Sequence, residues 1–426
     1  MRVHESDRRL AWRDTGKVKL LFVAPAYFFP IRGSGTFRVH DLARLLVSMG
    51  NSVSVVTPIN IRNIFRAKAG EEIGKIRVYR ALSLDLRLGV IAIDVFQTVS
   101  LFLLSLAVAL REKVDFIVVS LPPGSLGIGP FLAGRMLRKK VVFDVTDKWE
   151  DANIYYSKYR LVRWNHIILK KLFDVFYRKA NLVTTVTQCL VEYLKARGVS
   201  RVAFIPNGAD VKLFYPRKRH EKLTIRSELG LPKEDILLVY AGIIGGYYRP
   251  EVVMQALHNL IENNDTFRLK FVVMGKGEPR KIKEMLKPIR NLGLQNSVIF
   301  LGEKKREVVA RILSCCDAGI VPYDDKPLWV YAHPMKFFDY CASGLPVIAT
   351  AFKDSELASL IGKYKVGYIV EPLNSIELAS TIRKFCSLSE KEKKDMSERA
   401  RNLVVNNFGR AKIAKKLMES LQGVLE

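Results

Sequence analysis

Cysteine is scarce in this 426-residue chain, and its spacing excludes the common metal-binding and redox pairs. The five cysteines are Cys189, Cys315, Cys316, Cys341 and Cys386. They include no Cys-x-x-Cys pair, and all of them lie inside apolar segments. This usage predicts buried, reduced thiols in a cytosolic protein, without a disulfide framework or a thiolate zinc site.

Acidic residues are few relative to basic ones. The chain has 69 lysines and arginines against 42 aspartates and glutamates, which gives a formal charge of +27. Such an excess attracts phosphate groups, anionic lipids or nucleic acid, and charge alone does not choose among them. The sequence lacks the fingerprints of recognised nucleic-acid-binding modules, so we expect no nucleic acid partner. A basic nucleic-acid-binding protein is kept as an alternative function.

Long hydrophobic runs are also rare. Residues 88–110, "LGVIAIDVFQTVSLFLLSLAVAL", match the roughly 20 residues that a helix needs to span a bilayer. Asp94 and Gln97 interrupt this run, and an aspartate at the bilayer centre costs about 2.5 to 3.5 kcal/mol. A buried or interfacial helix is therefore favoured, while a spanning helix stays open. Residues 1–16 are too highly charged for a secretory signal and are interpreted as a tail.

Two sets of short β-branched runs alternate with helical patterns along the chain. The first set includes "KLLFVAP", "VDFIVVS" and "KVVFDVT", and the second includes "DILLVYAG", "RLKFVVMG" and "PVIAT". Strands that are apolar on both faces and separated by helices predict a doubly wound α/β fold. The sequence therefore predicts two Rossmann-like domains, residues 17–206 and 231–395. A linker rich in proline, glycine and charge, residues 207–230, joins them, and C-terminal helices occupy residues 396–426.

Glycine-rich turns follow several of these strands, but none has the spacing of a dinucleotide-binding or P-loop motif. In open parallel sheets, ligands bind beyond the carboxyl ends of the strands, where glycines let backbone N–H groups approach phosphate. The candidate residues in these turns are Gly33, Ser34, Gly35, Gly242, Gly245, Gly275 and Gly277. One such turn alone fits a plain tight turn equally well. Their recurrence at three equivalent positions predicts phosphate binding in a cleft.

Read in order, several segments resemble glycosyltransferase family 4. They include "GSGTFRVHDLARLLVSMGNSVSVVT", "VTTVTQCLVEYLKARGVSRVAFIPNGADVKLFYP", "VIFLGEKKREVVARILSCCDAGIVPY" and "KFFDYCASGLPVIAT". The resemblance covers nearly the whole chain from about Lys17 onward. The stretches "SLPPGSLG" and "FDVTDKW" are most similar to members that build surface polysaccharides. The resemblance implies the GT-B fold, in which two Rossmann-like domains face each other across a cleft and the last helix crosses back to the N-terminal domain.

The resemblance also implies a reaction. A sugar passes, with retention of configuration, from a nucleotide-diphosphate sugar to a hydroxyl group of a lipid-linked or polysaccharide glycan. The nucleotide sugar is a substrate, and the family implies neither a cofactor nor a bound metal. The acidic pair Asp324 and Asp325 is accordingly interpreted as a loop feature, and His40 and His333 receive no role. A sugar-nucleotide epimerase of the same fold is the alternative enzyme, in whose cleft we expect clustered acids and histidines.

Donor-binding residues are implied by the family's Glu-x7-Glu motif, whose second glutamate accepts hydrogen bonds from the donor ribose. Asp339 stands at that second position, and Tyr331 stands at the first. Lys336 lies one helical turn before Asp339 and is predicted to face the cleft and neutralise the diphosphate. Glu356 matches a family glutamate near the donor, and Arg249 lies close to the family's phosphate clamp. The alternatives are a solvated charge pair for Lys336 and Asp339 and a surface helix residue for Glu356.

An acceptor-side residue is implied at the end of the strand pattern "VVFDVTD". Asp147 occupies this position, where a carboxylate could orient or deprotonate an acceptor hydroxyl. The alternative is a helix N-cap ahead of Trp149. Asp147 and Lys336 are thus the predicted catalytic residues.

Residues 155–180, "YYSKYRLVRWNHIILKKLFDVFYRKA", combine basic charge with an apolar stripe. At helical spacing the stripe consists of Leu161, Trp164, Ile168, Leu172 and Val175. The pattern is typical of a helix in a membrane interface, where anionic headgroups add about 1 kcal/mol per nearby cation. We expect a cytoplasmic protein peripheral on the inner face of the cell membrane, with Trp164, Lys170 and Lys171 facing the lipid. A core stripe packed against the N-terminal sheet is the alternative.

Overall fold

The computed structural model describes residues 17–24, 34–60, 71–83, 91–121, 124–263 and 268–426. Gly33, the predicted tail of residues 1–16 and the first residues of the long apolar run lie outside these ranges. The described strands form two separate sheets, of eight and six strands. This arrangement confirms the prediction of two Rossmann-like domains.

The N-terminal sheet has the strand order β3-β4-β2-β1-β5-β6-β7-β8. Its strands are β1 Lys19–Val23, β2 Ser52–Asn60, β3 Glu71–Ile73, β4 Ile76–Ser83, β5 Phe116–Leu121, β6 Lys140–Val145, β7 Leu182–Thr185 and β8 Val202–Phe204. The ladders between these strands are parallel except for the hairpin of β3 and β4. Every residue of β5 is buried, as expected for a strand covered by helices on both faces.

Helices cover both faces of this sheet. They are α1 Ser34–Ser48, α2 Ile91–Arg111, α3 Ile128–Met136, α4 Trp149–Tyr156, α5 Arg160–Lys179 and α6 Gln188–Ala196. On one face, Phe131 of α3 and Phe173 of α5 pack against Phe143 of β6, with ring centroids 5.7 and 5.8 Å away. On the other face, α1 packs with the last helix of the chain. The two cores hold α1 and α5 on opposite sides of the domain.

The C-terminal sheet is parallel in its described ladders and has the order β11-β10-β9-β12-β13-β14. Its strands are β9 Ile236–Ala241, β10 Leu269–Met274, β11 Val298–Gly302, β12 Ala318–Pro322, β13 Val347–Thr350 and β14 Gly367–Val370. The helices around it are α7 Arg219–Glu228, α8 Pro250–Glu262, α9 Pro279–Asn291, α10 Arg306–Cys315, α11 Met335–Ala342, α12 Glu356–Tyr364, α13 Ser375–Cys386 and α14 Glu390–Leu403. The strand order reverses between β9 and β12, and in the first sheet between β1 and β5. Crevices at such switch points are where ligands bind in this fold class.

The chain crosses twice between the domains. After α14, a π-helical turn at Val404–Phe408 leads into α15, Arg410–Leu425, whose apolar residues join the N-terminal core, as the resemblance implied. The two crossings touch, since the backbone N–H of Ala209 donates to the carbonyl of Phe408 at 3.1 Å. A Cβ on Gly208 would lie 2.0 Å from that same carbonyl oxygen, so only glycine fits there. Asn207 and Gly208 therefore form the floor between the domains.

The predicted linker contains a helix, and one predicted boundary falls inside another helix. Helix α7 lies within the segment predicted as a linker, residues 207–230, and packs on α10 of the C-terminal domain. Arg226 of α7 is buried and donates to the carbonyl of Cys315 at 2.8 Å, which explains why this charged segment is structured. The predicted boundary at residue 395 likewise lies within α14.

The long apolar run forms α2. Its buried residues, such as Leu101 and Val108, belong to the N-terminal core, whereas Val95, Val99 and Leu103 are exposed. Among the residues that the structure describes, no helix has the length and hydropathy to cross a bilayer.

Candidate functional site

A cavity of about 600 Å³ lies between the two domains, at the carboxyl ends of their strands. Gly35 and Asp147 line it from the N-terminal domain. Gly242, Lys336 and Asp339 line it from the C-terminal domain, with Gly275 beside them. The structure thus brings together six of the residues predicted for the site. Ser34 begins helix α1 next to this wall.

The glycines at the ends of β9 and β10 allow the chain to pack closely. A Cβ on Gly275 would lie 1.7 Å from the carbonyl oxygen of Gly242, and a Cβ on Gly242 would lie 2.7 Å from Nζ of Lys336. The backbone N–H of Gly242 donates to Met274, and that of Gly275 donates to Gly302, both at 3.0 Å. These two amides are therefore engaged within the sheet edge. Their glycines make room for the Lys336 ammonium group, which is a different role from the phosphate donation expected for them.

Gly245 and Gly277 hold the same loops together from outside the cavity. Gly245 has a φ of +92° and packs under the side chain of Lys281. A Cβ on Gly277 would lie 2.6 Å from the carbonyl oxygen of Ile244. Neither glycine lines the cavity, since both face neighbouring protein atoms.

Lys336 lies in the first turn of α11, and its side chain is half-buried with the ammonium nitrogen beneath two aromatic rings. Its Nζ is 3.1 Å from the ring centroid of Tyr248 and 4.2 Å from that of Tyr240. No described residue offers this nitrogen a hydrogen bond. Burial lowers the pKa of the ammonium group well below its usual value, because the charged form loses its hydration. A negatively charged ligand is the partner that would stabilise a cation in this position.

Asp339 lies on the same helix, one turn later, and is also half-buried, with its Oδ1 atom removed from water. Its Oδ1 has no hydrogen-bond partner within the described part of the chain. Burial raises its pKa to about 7, and the nearby charge of Arg306 opposes this shift. Because Nζ of Lys336 and Oδ1 of Asp339 are both removed from water, the alternative of a solvated charge pair is wrong. Hydrogen-bond donors of a ligand would favour the ionised form of this carboxyl group.

Asp147 lies opposite, two residues after the end of β6. Its Oδ1 is buried without a hydrogen-bond partner from the described residues. Burial raises its pKa to about 7, and the charge of Glu150 adds to the shift. The N-cap position of α4 belongs to Lys148, which makes no side-chain capping bond. The capping alternative is therefore not observed, and a carboxyl group with this pKa has the chemistry of a general base.

Arg249 and Glu356 lie apart from the cavity wall. Arg249 immediately precedes α8, and its guanidinium group is directed to Asp324 at 3.6 Å. Glu356 begins α12 and accepts a hydrogen bond from the backbone N–H of Gln188 in α6, at 3.2 Å. Glu356 thus connects the two domains. Both side chains have a protein partner where the sequence predicted donor contacts.

An aromatic wall, which the sequence analysis missed, covers one side of the cavity. It consists of Tyr247, Tyr248, Tyr323 and Trp329. Successive ring centroids are close, with 4.2 Å between Tyr247 and Trp329 and 4.9 Å between Tyr248 and Tyr323. The available signal was the placement of "GGYYRPE" and "VPYDDKPLW" directly after the two central strands, β9 and β12. Aromatic residues near strand ends also occur in hydrophobic cores, so the sequence alone did not indicate that these four line a cavity.

Asp324 fixes this wall in place. Its carboxylate accepts hydrogen bonds from the indole N–H of Trp329 and, at 2.6 Å, from the hydroxyl group of Tyr156 in α4 of the other domain. These bonds explain why a carboxylate is buried at a strand end. Across the described ranges, no group of three or more histidine, cysteine, aspartate or glutamate side chains could hold a metal ion.

A second network fixes the linker at the floor of the cavity. Arg38 of α1 makes two hydrogen bonds of 2.9 Å to Asp144 and also donates to the carbonyls of Ile205 and Pro206. The same guanidinium group reaches Oδ1 of Asn207 at 3.2 Å. Bidentate arginine bonds of this kind define geometry strongly. Arg38 lies on the buried face of the amphipathic helix α1. A charged residue at a position where the helical pattern expects an apolar one is a sequence signal that could have indicated this network.

The predicted membrane helix α5 packs against the sheet with Leu169, Phe173 and Tyr177. The predicted stripe lies on its other side. Leu161, Trp164 and Ile168 are 65%, 62% and 57% exposed, and Leu172 and Val175 are half-buried. The alternative of a core stripe is therefore wrong for the first three. Lys171 is exposed, whereas Lys170 forms an ion pair of 2.5 Å with Asp151.

Two family models match the chain in tandem. Residues 35–213 match Glycosyltransferase Family 4, and residues 221–403 match Glycosyl transferases group 1. Together these matches include the C-terminal sheet, the N-terminal sheet except β1, and the cavity lining except Phe214 and Arg410. The chain belongs to glycosyltransferase family 4.

Curated relatives match part of the chain. It is 27% identical over 202 residues to D-inositol 3-phosphate glycosyltransferase of Actinosynnema mirum, a match that covers 45% of this chain and 46% of the relative. It is 25% identical over 198 residues to the enzyme of the same name from Corynebacterium diphtheriae, with 46% of this chain and 44% of the relative covered. The chain therefore spans less than half the length of these relatives.

Solved structures match the whole glycosyltransferase fold. Sucrose-phosphate synthase from Thermosynechococcus elongatus has a TM-score of 0.72 at 17% identity, with 96% of this chain and 99% of that chain covered. Anabaena HepE in complex with UDP and glucose has a TM-score of 0.71 at 16% identity, with 95% and 100% covered. At these identities the likeness establishes the GT-B fold, as the sequence predicted.

Proposed function

We propose that this protein transfers a sugar from a nucleotide-diphosphate sugar to a hydroxyl acceptor in the interdomain cavity. The observation that carries the proposal is that Nζ of Lys336 and Oδ1 of Asp339 are both buried and have no hydrogen-bond partner among the described residues. A nucleoside diphosphate supplies both missing partners, since its phosphates are anionic and its ribose donates hydrogen bonds. The related fold of Anabaena HepE has been solved with UDP-glucose, which makes uridine donors the first to test.

The donor roles follow from charge. Negative charge grows on the diphosphate as the glycosidic bond breaks, and a fixed cation in a water-poor site stabilises it strongly. Lys336 supplies that cation without any metal ion, so we propose a metal-independent reaction that requires no cofactor. Asp339 holds the ribose and positions the diphosphate next to Lys336. The aromatic wall offers rings on which the apolar face of a sugar can stack.

The acceptor side is assigned to Asp147. Its raised pKa, about 7, makes it suited to accept or share the proton of an acceptor hydroxyl near neutral pH. We extend the proposal to retention of configuration, which the family membership supports. The anomeric coupling constant in the proton NMR spectrum of the product tests this directly, because a product of inverted configuration would exclude it.

We further propose that the protein docks on the anionic inner face of the cell membrane and takes a lipid-linked or polysaccharide acceptor there. The exposed stripe of α5 supports this, because it begins four residues after the end of α4, the helix that follows Asp147. Exposed apolar residues continue on the neighbouring helices with Val99 of α2 and Met136 of α3. Cations such as Lys171 and Arg135 lie among them and would meet lipid phosphates.

The test of the donor assignment is a thermal-shift panel with UDP, GDP, ADP and dTDP, and with single-stranded DNA for comparison. We expect one nucleoside diphosphate to raise the melting temperature, as any ligand of the native state does. The matching nucleotide sugars would then be screened for transfer and for epimerisation. Stabilisation by DNA alone would favour the basic nucleic-acid-binding alternative instead.

A further inference from the structure

A buried histidine lies in the same cavity without a role in the reaction described above. His333 is in the loop that connects the short 3-10 turn Pro327–Tyr331 with α11. It is 5% exposed, lines the cavity, and packs on Phe338 with ring centroids 4.5 Å apart. Three residues later the chain reaches Lys336. The loop therefore places an imidazole ring in the wall of the cavity that Lys336 also lines.

The hydrogen bonds of His333 define which of its nitrogens carries the proton. Nδ1 lies 3.1 Å from the backbone nitrogen of Asn207, whose N–H can only donate. Nδ1 is therefore an acceptor without a proton, and a neutral ring must carry its proton on Nε2. Burial, with the positive charge of Arg38, lowers the pKa of His333 to about 3, so the ring is neutral at physiological pH.

The surroundings prevent the ring from turning away. The side-chain amide of Asn207 donates to the carbonyl of His333 at 2.8 Å, so Asn207 holds this residue at two points. Asn207 is in turn fixed by Arg38, which is anchored on Asp144. This chain of contacts runs from the N-terminal domain through the linker to the cavity wall. His333 is consequently a preorganised donor.

Nε2 is the nitrogen that has no hydrogen-bond partner among the described residues. It needs an acceptor, and a buried donor without one destabilises the protein. The cavity also contains the unpartnered ammonium group of Lys336 on the adjoining helix turn. Each of these two groups needs an acceptor oxygen, whereas a further donor satisfies neither. A diphosphate oxygen is the ligand atom with this property in a nucleotide sugar.

We propose that His333 binds the donor diphosphate through its neutral Nε2–H group, beside Lys336. This inference rests on the proposed function and adds a phosphate-binding residue within the seven residues between Tyr331 and Asp339. In this role His333 donates a hydrogen bond throughout the reaction and transfers no proton. Because the same ring is held by the linker, diphosphate binding also stabilises the observed arrangement of the two domains.

Two substitutions distinguish the roles of the two ring nitrogens. The oxygen of asparagine in His333→Asn can replace Nδ1 toward Asn207, but no donor remains at the Nε2 position. The amide of glutamine in His333→Gln can reach the Nε2 position as a donor while the Nδ1 acceptor is lost. The matched control is His220→Asn, because His220 is exposed on α7.

Calorimetric titration with UDP, GDP, ADP and dTDP, and with the four corresponding nucleosides, measures the effect. For the diphosphate that binds, we expect His333→Asn to weaken affinity about tenfold and His333→Gln to weaken it about threefold or less. The nucleoside should bind equally to all variants. The His220→Asn protein should match the wild type. In the wild type, ¹⁵N-histidine NMR should show the proton of His333 on Nε2, with a shift of that signal on diphosphate binding.

Each contrary result has a separate meaning. A folded His333→Asn protein with unchanged diphosphate affinity overturns this inference alone, provided that Lys336→Ala still weakens binding. Equal losses for nucleoside and diphosphate show that His333 positions the linker instead, which also overturns it. A ring protonated on Nδ1 would contradict the assigned tautomer. If none of the four diphosphates binds the wild type, the proposed function fails and this inference fails with it.

Discussion

The cavity wall of the C-terminal domain and the outer helical layer of the N-terminal domain expose opposite chemistry. In the cavity, Nζ of Lys336 and Oδ1 of Asp339 are buried without a hydrogen-bond partner among the described residues. On the outer layer, apolar groups such as Leu161 and Trp164 are exposed, and cations such as Lys171 reach water beside them. A buried polar group without a partner and an exposed apolar group are each unfavourable in an isolated protein. This difference indicates that the C-terminal domain binds a small anionic ligand, whereas the outer layer of the N-terminal domain contacts an extended surface.

The largest effect is expected when the ammonium group of Lys336 is removed from the cavity. We expect Lys336→Ala to lower kcat about 100-fold, because the leaving diphosphate loses a preorganised positive charge. Steady-state kinetics with the identified nucleotide sugar measures this. Lys363→Ala on the surface helix α12 is the matched control and should behave as the wild type. A kcat within threefold of the wild-type value would remove Lys336 from the reaction.

The second prediction concerns the buried carboxyl group on the same helix. Asp339→Ala should weaken nucleotide-sugar binding by about 1.5 to 3 kcal/mol, because a charged hydrogen bond to ribose is lost. Calorimetric titration measures the affinity, and Asp354→Ala at the exposed turn before α12 is the control. Circular dichroism should show both variants folded. Unchanged affinity in folded Asp339→Ala would defeat the ribose assignment.

The pH dependence of binding is the third prediction. The pKa of Asp339 is about 7 in the unliganded protein, and ribose hydroxyls stabilise its ionised form. Bound nucleotide should therefore lower this pKa, so affinity should increase as the pH rises from about 6 to 8 and be lost as the pH falls. The effect is limited to roughly tenfold per pKa unit. Asp339→Asn should abolish this rise, and a rise that persists would assign it to another group.

Much of the difference between the two domains could be predicted from the sequence, because it depends on local patterns and on recognisable motifs. Alternating apolar runs predicted both sheets, and the match of Asp339 to the second position of the family's Glu-x7-Glu motif implied that it lies at the cleft. Arg249 and Glu356 show the limit. Each lies at a helix start, where the direction of the side chain depends on which partner the fold brings near, here Asp324 and the backbone of Gln188. Sequence spacing carries no information about such distant neighbours.

Helix α5 shows the same limit for packing. Two apolar stripes run along it, one with Trp164 and one with Phe173, and periodicity cannot decide which one meets the sheet. The structure decides because Phe143 of β6 offers a partner for Phe173. The membrane proposal depends on this outcome, since only the stripe left in solvent is free to meet lipid.

The smallest expected effect concerns the exposed stripe of α5 and its binding to membranes. We expect the protein to sediment with vesicles that contain anionic phospholipid, to bind neutral vesicles far less, and to be released at about 1 M salt, where the Debye length is about 3 Å. Lys171→Glu should weaken binding by about 1 kcal/mol or somewhat more, because one cation near the headgroups is replaced by an anion. Lys170→Glu in the same protein should add less to this loss, since Lys170 is paired with Asp151.

Trp164→Ser should weaken binding to the same vesicles through loss of apolar contact. Lys363→Glu on the C-terminal domain carries the same charge change as Lys171→Glu and should sediment like the wild type. Nucleotide affinity should be unchanged in all of these variants, because none of the substituted side chains lines the cavity. If the Trp164 and Lys171 variants sediment with anionic vesicles as the wild type does, the exposed stripe serves a different partner, and the basic excess must act at another surface.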